Sequence, residues 1–292
     1  PRKLGKVGLG YLLNNGGNVK AEATIANLPD GRIWYGSAAA AEFHDMDWLT
    51  EHLPGDGSVQ LRSLTNDYTI LVLAGPQSRD VLSACSRGDW SAKGFPWLRV
   101  REARIGHAPA MVMSVSFSGE LAYEIHVPNA SLYAAYLALM KAGANSKIGH
   151  FGARAIDSMR MEKGYLHWKS DLITEFDPFE TSLDRFVHMD KEFHGKAALL
   201  ARGGKKRRVL RMLEVGATHA CPHPSDSLYS GGKLVGSITS AEWGHRTGKN
   251  IAYAFLKPEI TGDLMVDIIG KPYSATLLDE VLYDPSNNRV KL

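Results

Sequence analysis

Only two cysteines, Cys85 and Cys221, occur in 292 residues. That excludes a disulfide framework and points to a reducing compartment, the cytoplasm or a mitochondrial matrix. No run of about 18 apolar residues appears, so no membrane-spanning helix is expected. Charge of one sign is missing too: 34 Lys and Arg against 31 Asp and Glu leave a net +3. A dedicated nucleic-acid binder carries a basic face, so neither nucleic acid nor membrane is expected as a partner. A dinucleotide fingerprint is also absent. The nearest stretch, Gly5 to Gly10 as GKVGLG, has the wrong spacing and the wrong setting for G-x-G-x-x-G, so the chain shows no flavin or nicotinamide site of its own. His219, Cys221 and His223 in HACPH crowd around Pro222 too tightly for a tetrahedral site, and no metal is expected.

What is present is enough apolar material, 44% of the residues, to bury a core in a chain long enough for about two domains. Val19 to Leu28 alternates, with Val19, Ala21, Ala23 and Ile25 against Lys20, Glu22 and Thr24, which predicts a strand. Pro29-Asp30-Gly31 turns it into a second strand over Arg32 to Gly36. Ser37 reads as the cap of a helix over 38–52. Strands follow at Ser58 to Leu64, Tyr68 to Ala74, Pro96 to Arg104, Ala110 to Phe117 and Ala122 to Val127. Helices are expected at Ser78 to Cys85 and Ala130 to Ala144. Hairpins interrupted by single helices fit α+β better than a doubly wound sheet. Past the basic run Lys205-Lys206-Arg207-Arg208, itself read as a solvated turn, only short strands separated by Gly, Pro or Asn remain. They start at Val209, Lys233, Asn250, Leu264 and Pro272 and predict a small all-β barrel or sandwich. A domain boundary is placed near residue 204, giving domains 1–203 and 204–292.

The most informative block runs from Phe151 to Leu200. Arg154, Asp157, Arg160 and Glu162 stand among Ala155, Ile156, Met159 and Met161, which gives a helix with one ionic and one apolar face. Gly164 ends it. The order G-x-R-A-x-D-S-x-R-x-E-K-G-Y from Gly152, then Asp177-Pro178-Phe179-Glu180, then F-x-G-K-x-A-L from Phe193 resembles the folate-binding aminomethyltransferase family, the T-protein of glycine cleavage. It is more similar still to the folate-binding half of dimethylglycine and sarcosine dehydrogenases and oxidases. The resemblance implies a T-protein-like folate-binding domain followed by a barrel-like domain. It implies tetrahydrofolate as cofactor, with FAD only on a separate or missing domain. Relatives carry an additional amino-terminal piece, so further sequence before Pro1 is expected.

Residue roles follow from the resemblance. Gly17 to Ile25 matches the segment in which the family has an Asp, and Glu22 stands in its place as the catalytic acid/base. A carboxylate there stabilises positive charge on an amine or iminium and passes a proton. Tyr123 and Glu124 fall in the motif whose Glu pairs with the pterin's adjacent N–H donors, a bidentate match like that of carboxylate and guanidinium. Arg160 is implied to reach folate and Arg154 to brace the fold. Thr24 and Gly36 match positions lining the pterin pocket. Glu22, Glu124 and Arg160 are therefore expected in one concavity. On pattern alone, Glu22 and Glu124 are outward strand positions. Leu9 and Ser182 depart from the family's usual tyrosine and glycine. The implied activity is tetrahydrofolate-dependent one-carbon transfer from an N-methyl amine or its iminium. A methylated amine donor and a flavoprotein partner or missing flavin domain are the expected partners. Two alternatives stand beside it: a regulatory or interaction subunit of the same fold without catalysis, and a folate-dependent demethylase acting on an O- or S-methyl donor.

Overall fold

The structure is a computed structural model that describes residues 3–292; Pro1 and Arg2, with which the first expected domain begins, lie outside the described residues. Its strands are β1 (Lys6–Leu13), β2 (Val19–Asn27), β3 (Ile33–Ser37), β4 (Tyr68–Ala74), β5 (Val100–Ile105), β6 (Ala108–Met113), β7 (Ala122–Pro128), β8 (Val209–Val215), β9 (Ser227–Ser230), β10 (Lys233–Gly244), β11 (Lys249–Leu256), β12 (Leu264–Ile268) and β13 (Lys271–Leu278). The helices are α1 (Glu42–Glu51), α2 (Ser78–Cys85), α3 (Leu132–Ala142), α4 (Ala153–Lys163) and α5 (Lys196–Arg202). Among the described residues no helix is long and apolar enough to cross a membrane. The chain forms two compact units. One holds the chain up to Gly10, Ala23–Phe151 and Asn287–Leu292; the other holds Tyr11–Glu22 and Gly152–Ser286.

The first unit is built on an antiparallel sheet in the order β4-β7-β6-β5. Strand alternation sends Tyr123, Ile125 and Val127 of β7 to one face, where they are buried with Val81 and Leu82 of α2 and Leu139 of α3. The opposite face of β5 and β6 gives Val100, Met111 and Met113, which form a second core with Val7, Ala26, Leu28 and Trp34. Two expectations are corrected here. Ser58 to Leu64 is irregular, not a strand. Its polar groups are used locally, Ser58 N–H to Asp56 and Arg62 to Asp67, both on the surface, and no neighbouring strand pairs with it. Ser37 does not cap the following helix. A 3₁₀ turn over Ala39–Ala41 comes first, and α1 starts without a side-chain cap.

The second unit contains a closed barrel, β10-β11-β8-β13-β12-β9. Its inward positions (Leu213, Val215, Leu228, Ala252, Leu256 and Val266 among them) form one core. Each large aliphatic side chain buried there contributes about 1.5–3 kcal/mol relative to exposure. The expected strands are all present. The one unforeseen, β9, is four residues long and too short to show a period. No α-helix occurs between Val209 and Ser286. The fold is therefore α+β followed by a small all-β barrel, as the pattern of elements implied.

Helix α4 packs against this barrel. Ser158 Oγ donates to Trp243 O at 2.6 Å, and Glu162 accepts the backbone N–H groups of Arg246 and Thr247, each at 2.8 Å. Gly164 ends the helix at φ 74°, and a Cβ there would sit 2.1 Å from Val281 Cγ1. Only glycine fits that position. Ser182, by contrast, adopts φ 58° with a side chain, which explains why glycine suits the position better. Arg154, expected to brace the fold, lies exposed in the first turn of α4.

The basic run is more engaged than a solvated turn. Arg207 donates from Nη2 and Nε to the buried Glu180 at 2.9 and 3.1 Å, and Arg208 Nη1 donates to Val235 O at 2.7 Å. Burial alone would raise the Glu180 pKa, but the hydrogen bonds from Arg207 and the backbone outweigh it and hold the carboxyl below its ordinary range. This stabilisation is complete above the ordinary carboxylate range and is lost as the pH falls through the lowered value. Arg207→Ala is expected to cost about 2 kcal/mol in urea unfolding at neutral pH. The difference from the parent protein should shrink in acid, and a pH-independent difference would contradict the assignment.

Candidate functional site

The site begins at the turn end of the β1–β2 hairpin, Tyr11–Glu22, which belongs to the second unit. Lys20, Glu22 and Thr24 are the half-buried set of β2, alternating with buried Val19, Ala21 and Ala23. Tyr11 hydrogen-bonds Glu22 through its hydroxyl. The Tyr11 ring meets Phe186 edge-on at 4.9 Å, and the Arg185 guanidinium lies 4.9 Å over the Phe186 ring. Burial is the largest influence on Glu22. The Tyr11 hydrogen bond opposes it, the charge of Asp171 adds to it, and the pKa is pushed up to about 7. Burial, then the charge of Glu22, raises the Tyr11 hydroxyl well above the ordinary phenol range. Tyr11 therefore stays a donor at physiological pH.

Asp171 is fully buried and accepts four hydrogen bonds. Oδ2 takes Arg160 Nη1 at 2.8 Å and His167 N–H at 2.9 Å; Oδ1 takes Thr239 Oγ1 at 2.6 Å and Ser240 Oγ at 2.5 Å. Arg160 is 3% exposed. Its Nη1 also reaches Tyr165 O at 3.3 Å, and its Nε lies 3.6 Å from Asp157. One arm of the guanidinium expected to reach folate, Nη1, is held by Asp171, which no solvent reaches, while the buried Nε has no hydrogen-bond partner among the described residues. What Arg160 directly orients is Asp171, and Asp171 in turn acts on Glu22.

Thr24, Gly36, Tyr123 and Glu124 belong to the first unit. Thr24 and Gly36 are register partners in the β2–β3 ladder. A Cβ on Gly36 would meet only Thr24 O, at 3.8 Å, so the protein itself leaves that space free. Glu124 sits on β7 between Val72 of β4 and Met113 of β6, with its side chain 31% exposed. His126, two residues on and buried, brings Nε2 to 3.4 Å from Glu124 Oε2. Tyr123 does not join them. As the odd neighbour on the same strand it points to the opposite face, where its ring stacks 6.1 Å from Phe95 in the core. The expectation that Tyr123 contacts a ligand is corrected on that ground.

Tyr11, Asp171 and His126 were not singled out from the sequence. Tyr11 and His126 carried a period-2 signal, each on the same strand as, or the strand next to, a carboxylate already singled out. Asp171 lies in an irregular loop and carried none. Among the described residues no group of three His, Cys, Asp or Glu side chains is placed to hold a metal ion. His219 Nε2 instead lies 3.1 Å from the Tyr273 hydroxyl.

Two family patterns match the chain: the GCVT N-terminal domain over residues 1–191 and the glycine cleavage T-protein C-terminal barrel domain over residues 206–284. The chain belongs to the glycine cleavage T-protein family. Human mitochondrial dimethylglycine dehydrogenase is 29% identical over 99% of this chain and 34% of its own length. Mouse mitochondrial sarcosine dehydrogenase is 31% identical over 96% of this chain and 33% of its own. The chain thus spans about a third of the length of these curated relatives. The crystal structure of glycine cleavage system aminomethyltransferase T from Bartonella henselae superposes with a TM-score of 0.85 at 20% identity, covering 97% of this chain and 77% of that one. That likeness establishes the T-protein fold across the chain.

Proposed function

We propose that this T-protein family chain transfers a one-carbon unit from an N-methyl amine, or its iminium, to tetrahydrofolate, as the folate module of a dimethylglycine or sarcosine dehydrogenase-like system. The observation that carries the reading is Glu22: a half-buried carboxylate held by Tyr11, with its pKa pushed up to about 7. A proton acceptor poised near the working pH is what amine chemistry needs. Tetrahydrofolate, when bound, supplies the amine nitrogens that accept the carbon unit.

The chain's own contribution is distributed as follows. Glu22 takes up a proton on its carboxylate and, while ionised, stabilises positive charge on the donor. Tyr11 donates to that carboxylate throughout. Phe186 beside Tyr11 adds an apolar ring that limits water access. Asp171, fixed by Arg160, Thr239 and Ser240, adds a constant negative charge, and both Asp171 and Arg160 are read as positioning residues. Glu124 is assigned to the pterin's paired N–H donors; its partial exposure and the free space beside Gly36 fit a flat heterocycle. FAD, where the system uses it, belongs to another domain or subunit.

Titration calorimetry with tetrahydrofolate, paired with a transfer assay on N,N-dimethylglycine supplied with a flavoprotein oxidant, tests the proposal. Micromolar binding and product formation are expected. Glu124→Gln should weaken binding by about 2 kcal/mol, roughly 30-fold, because a charge-assisted bidentate contact is lost. Unaltered affinity in that variant would remove Glu124 from the pterin's contacts. Absence of tetrahydrofolate binding to the parent protein would overturn the reading as a whole.

A further inference from the structure

Strand β4 reads YTILVLA, with no charged residue and no proline over Tyr68–Ala74. It stands at the edge of its sheet, paired only with β7. Ile70 and Val72 are 47% and 44% exposed. Edge strands of this length are ordinarily blunted by a lysine, a proline or a bulge, and β4 has none of these. Beside it runs a groove of about 460 Å³, lined by β4, the start of α2, Tyr136, Leu139 and Met140 of α3, and the loop over 146–151. The loop wall is built: Tyr136 Oη and His150 Nε2 lie 3.0 Å apart with their rings stacked. No carboxylate lines the groove. Lys147 and His150, both exposed, are its basic side chains.

We infer that the β4 edge and its groove are a docking surface for an extended acidic segment of a partner protein, which adds to the sheet as a fifth strand. The open edge presents backbone donors and acceptors at strand spacing, and only another extended backbone satisfies them in series. Alternate side chains of that segment fall toward the groove's apolar lining and beside Ile70 and Val72. The charge balance chooses the occupant. A second copy presenting the same edge would bring further cations to a groove with no carboxylate, whereas an acidic segment meets Lys147 and His150. The inference does not rest on the folate reading, although Ile70 and Val72 lie directly opposite His126 and Glu124 in the β4–β7 ladder, so a segment docked beside them approaches the carboxylate assigned to the pterin.

The experiment uses the whole chain and two acetylated nonapeptides of alternating Val and Thr, one ended by Glu and Asp, the other by Lys at both ends. Binding is followed by calorimetry and by amide hydrogen exchange over residues 68–74. The acidic peptide is expected to bind at least about tenfold tighter than the basic one and to slow exchange in β4. Lys147→Glu, on an exposed loop, should reverse that preference while leaving tetrahydrofolate binding unchanged. Equal binding of the two peptides, or no slowing in β4 at about 1 mM peptide, would overturn the inference. So would β4 protection that rises with protein concentration alone, in step with a dimer seen by sedimentation, since the occupant would then be a second copy.

Discussion

Glu22→Gln should leave tetrahydrofolate affinity within about twofold and lower the transfer rate about 100- to 1,000-fold, the usual range for losing a positioned acid/base. The asymmetry follows from when the group acts. A proton acceptor stabilises the transition state, so its loss appears in kcat and leaves the ground-state complex nearly unaltered. Its pH dependence has a definite sign. The Glu22 pKa is pushed up to about 7 by burial, with Tyr11 opposing and Asp171 adding, so activity that needs the carboxylate should fall as the pH drops below about 7. Tyr11→Phe removes the hydrogen bond that favours the ionised form. The acid limb should then move to higher pH, while activity on the alkaline plateau stays closer to that of the parent. A limb that stays in place would separate Tyr11 from the proton step.

The same shift makes Glu22 a cost to the fold at working pH. A carboxyl whose folded pKa is raised stabilises fully below its unfolded value, and that contribution is lost as the pH rises through about 7. Glu22→Gln should therefore raise the unfolding free energy at pH 8 by on the order of 2 kcal/mol, with little change at pH 4. Gained stability with lost turnover is the signature of a group held in an unfavourable state for its chemistry. A surface strand glutamate, the bland reading of the alternating pattern, would show neither effect.

The barrel was legible because short strand-like runs recur between Gly, Pro and Asn with no long helix among them, so β8 and β12 could be placed at their first residues. The block after Phe151 was legible as a helix with an ionic face, but not for what that face meets. The partner of Arg160 comes from an irregular loop, and that partner's other donors come from β10. Neither has a local signal. Tyr123 is a different case, since strand alternation alone separates it from Glu124 and the resemblance overrode that rule. Ser58 to Leu64 failed because a strand needs a neighbour, and a single segment cannot reveal whether one exists.

Arg160→Met is expected to destabilise the protein by about 3–5 kcal/mol, because it leaves Asp171 fully buried without its counter-charge. Asp171→Asn should cost less, since an amide oxygen still accepts from the hydroxyls of Thr239 and Ser240. In the double variant, Arg160→Met with Asp171→Leu, no ion remains to be left unpaired, and part of the loss should return. Urea unfolding of the three variants measures the coupling, and simple additivity would contradict a shared ion pair. The variants also separate structure from chemistry. Asp171 raises the Glu22 pKa by its charge, so Asp171→Asn should move the acid limb of the transfer reaction to lower pH. Arg160→Met removes the cation that offsets that charge and should move the limb the other way. Loss of packing alone would lower activity in both variants without opposite shifts, so the direction of the two limbs decides whether this buried pair tunes the proton acceptor or only holds α4 to the barrel.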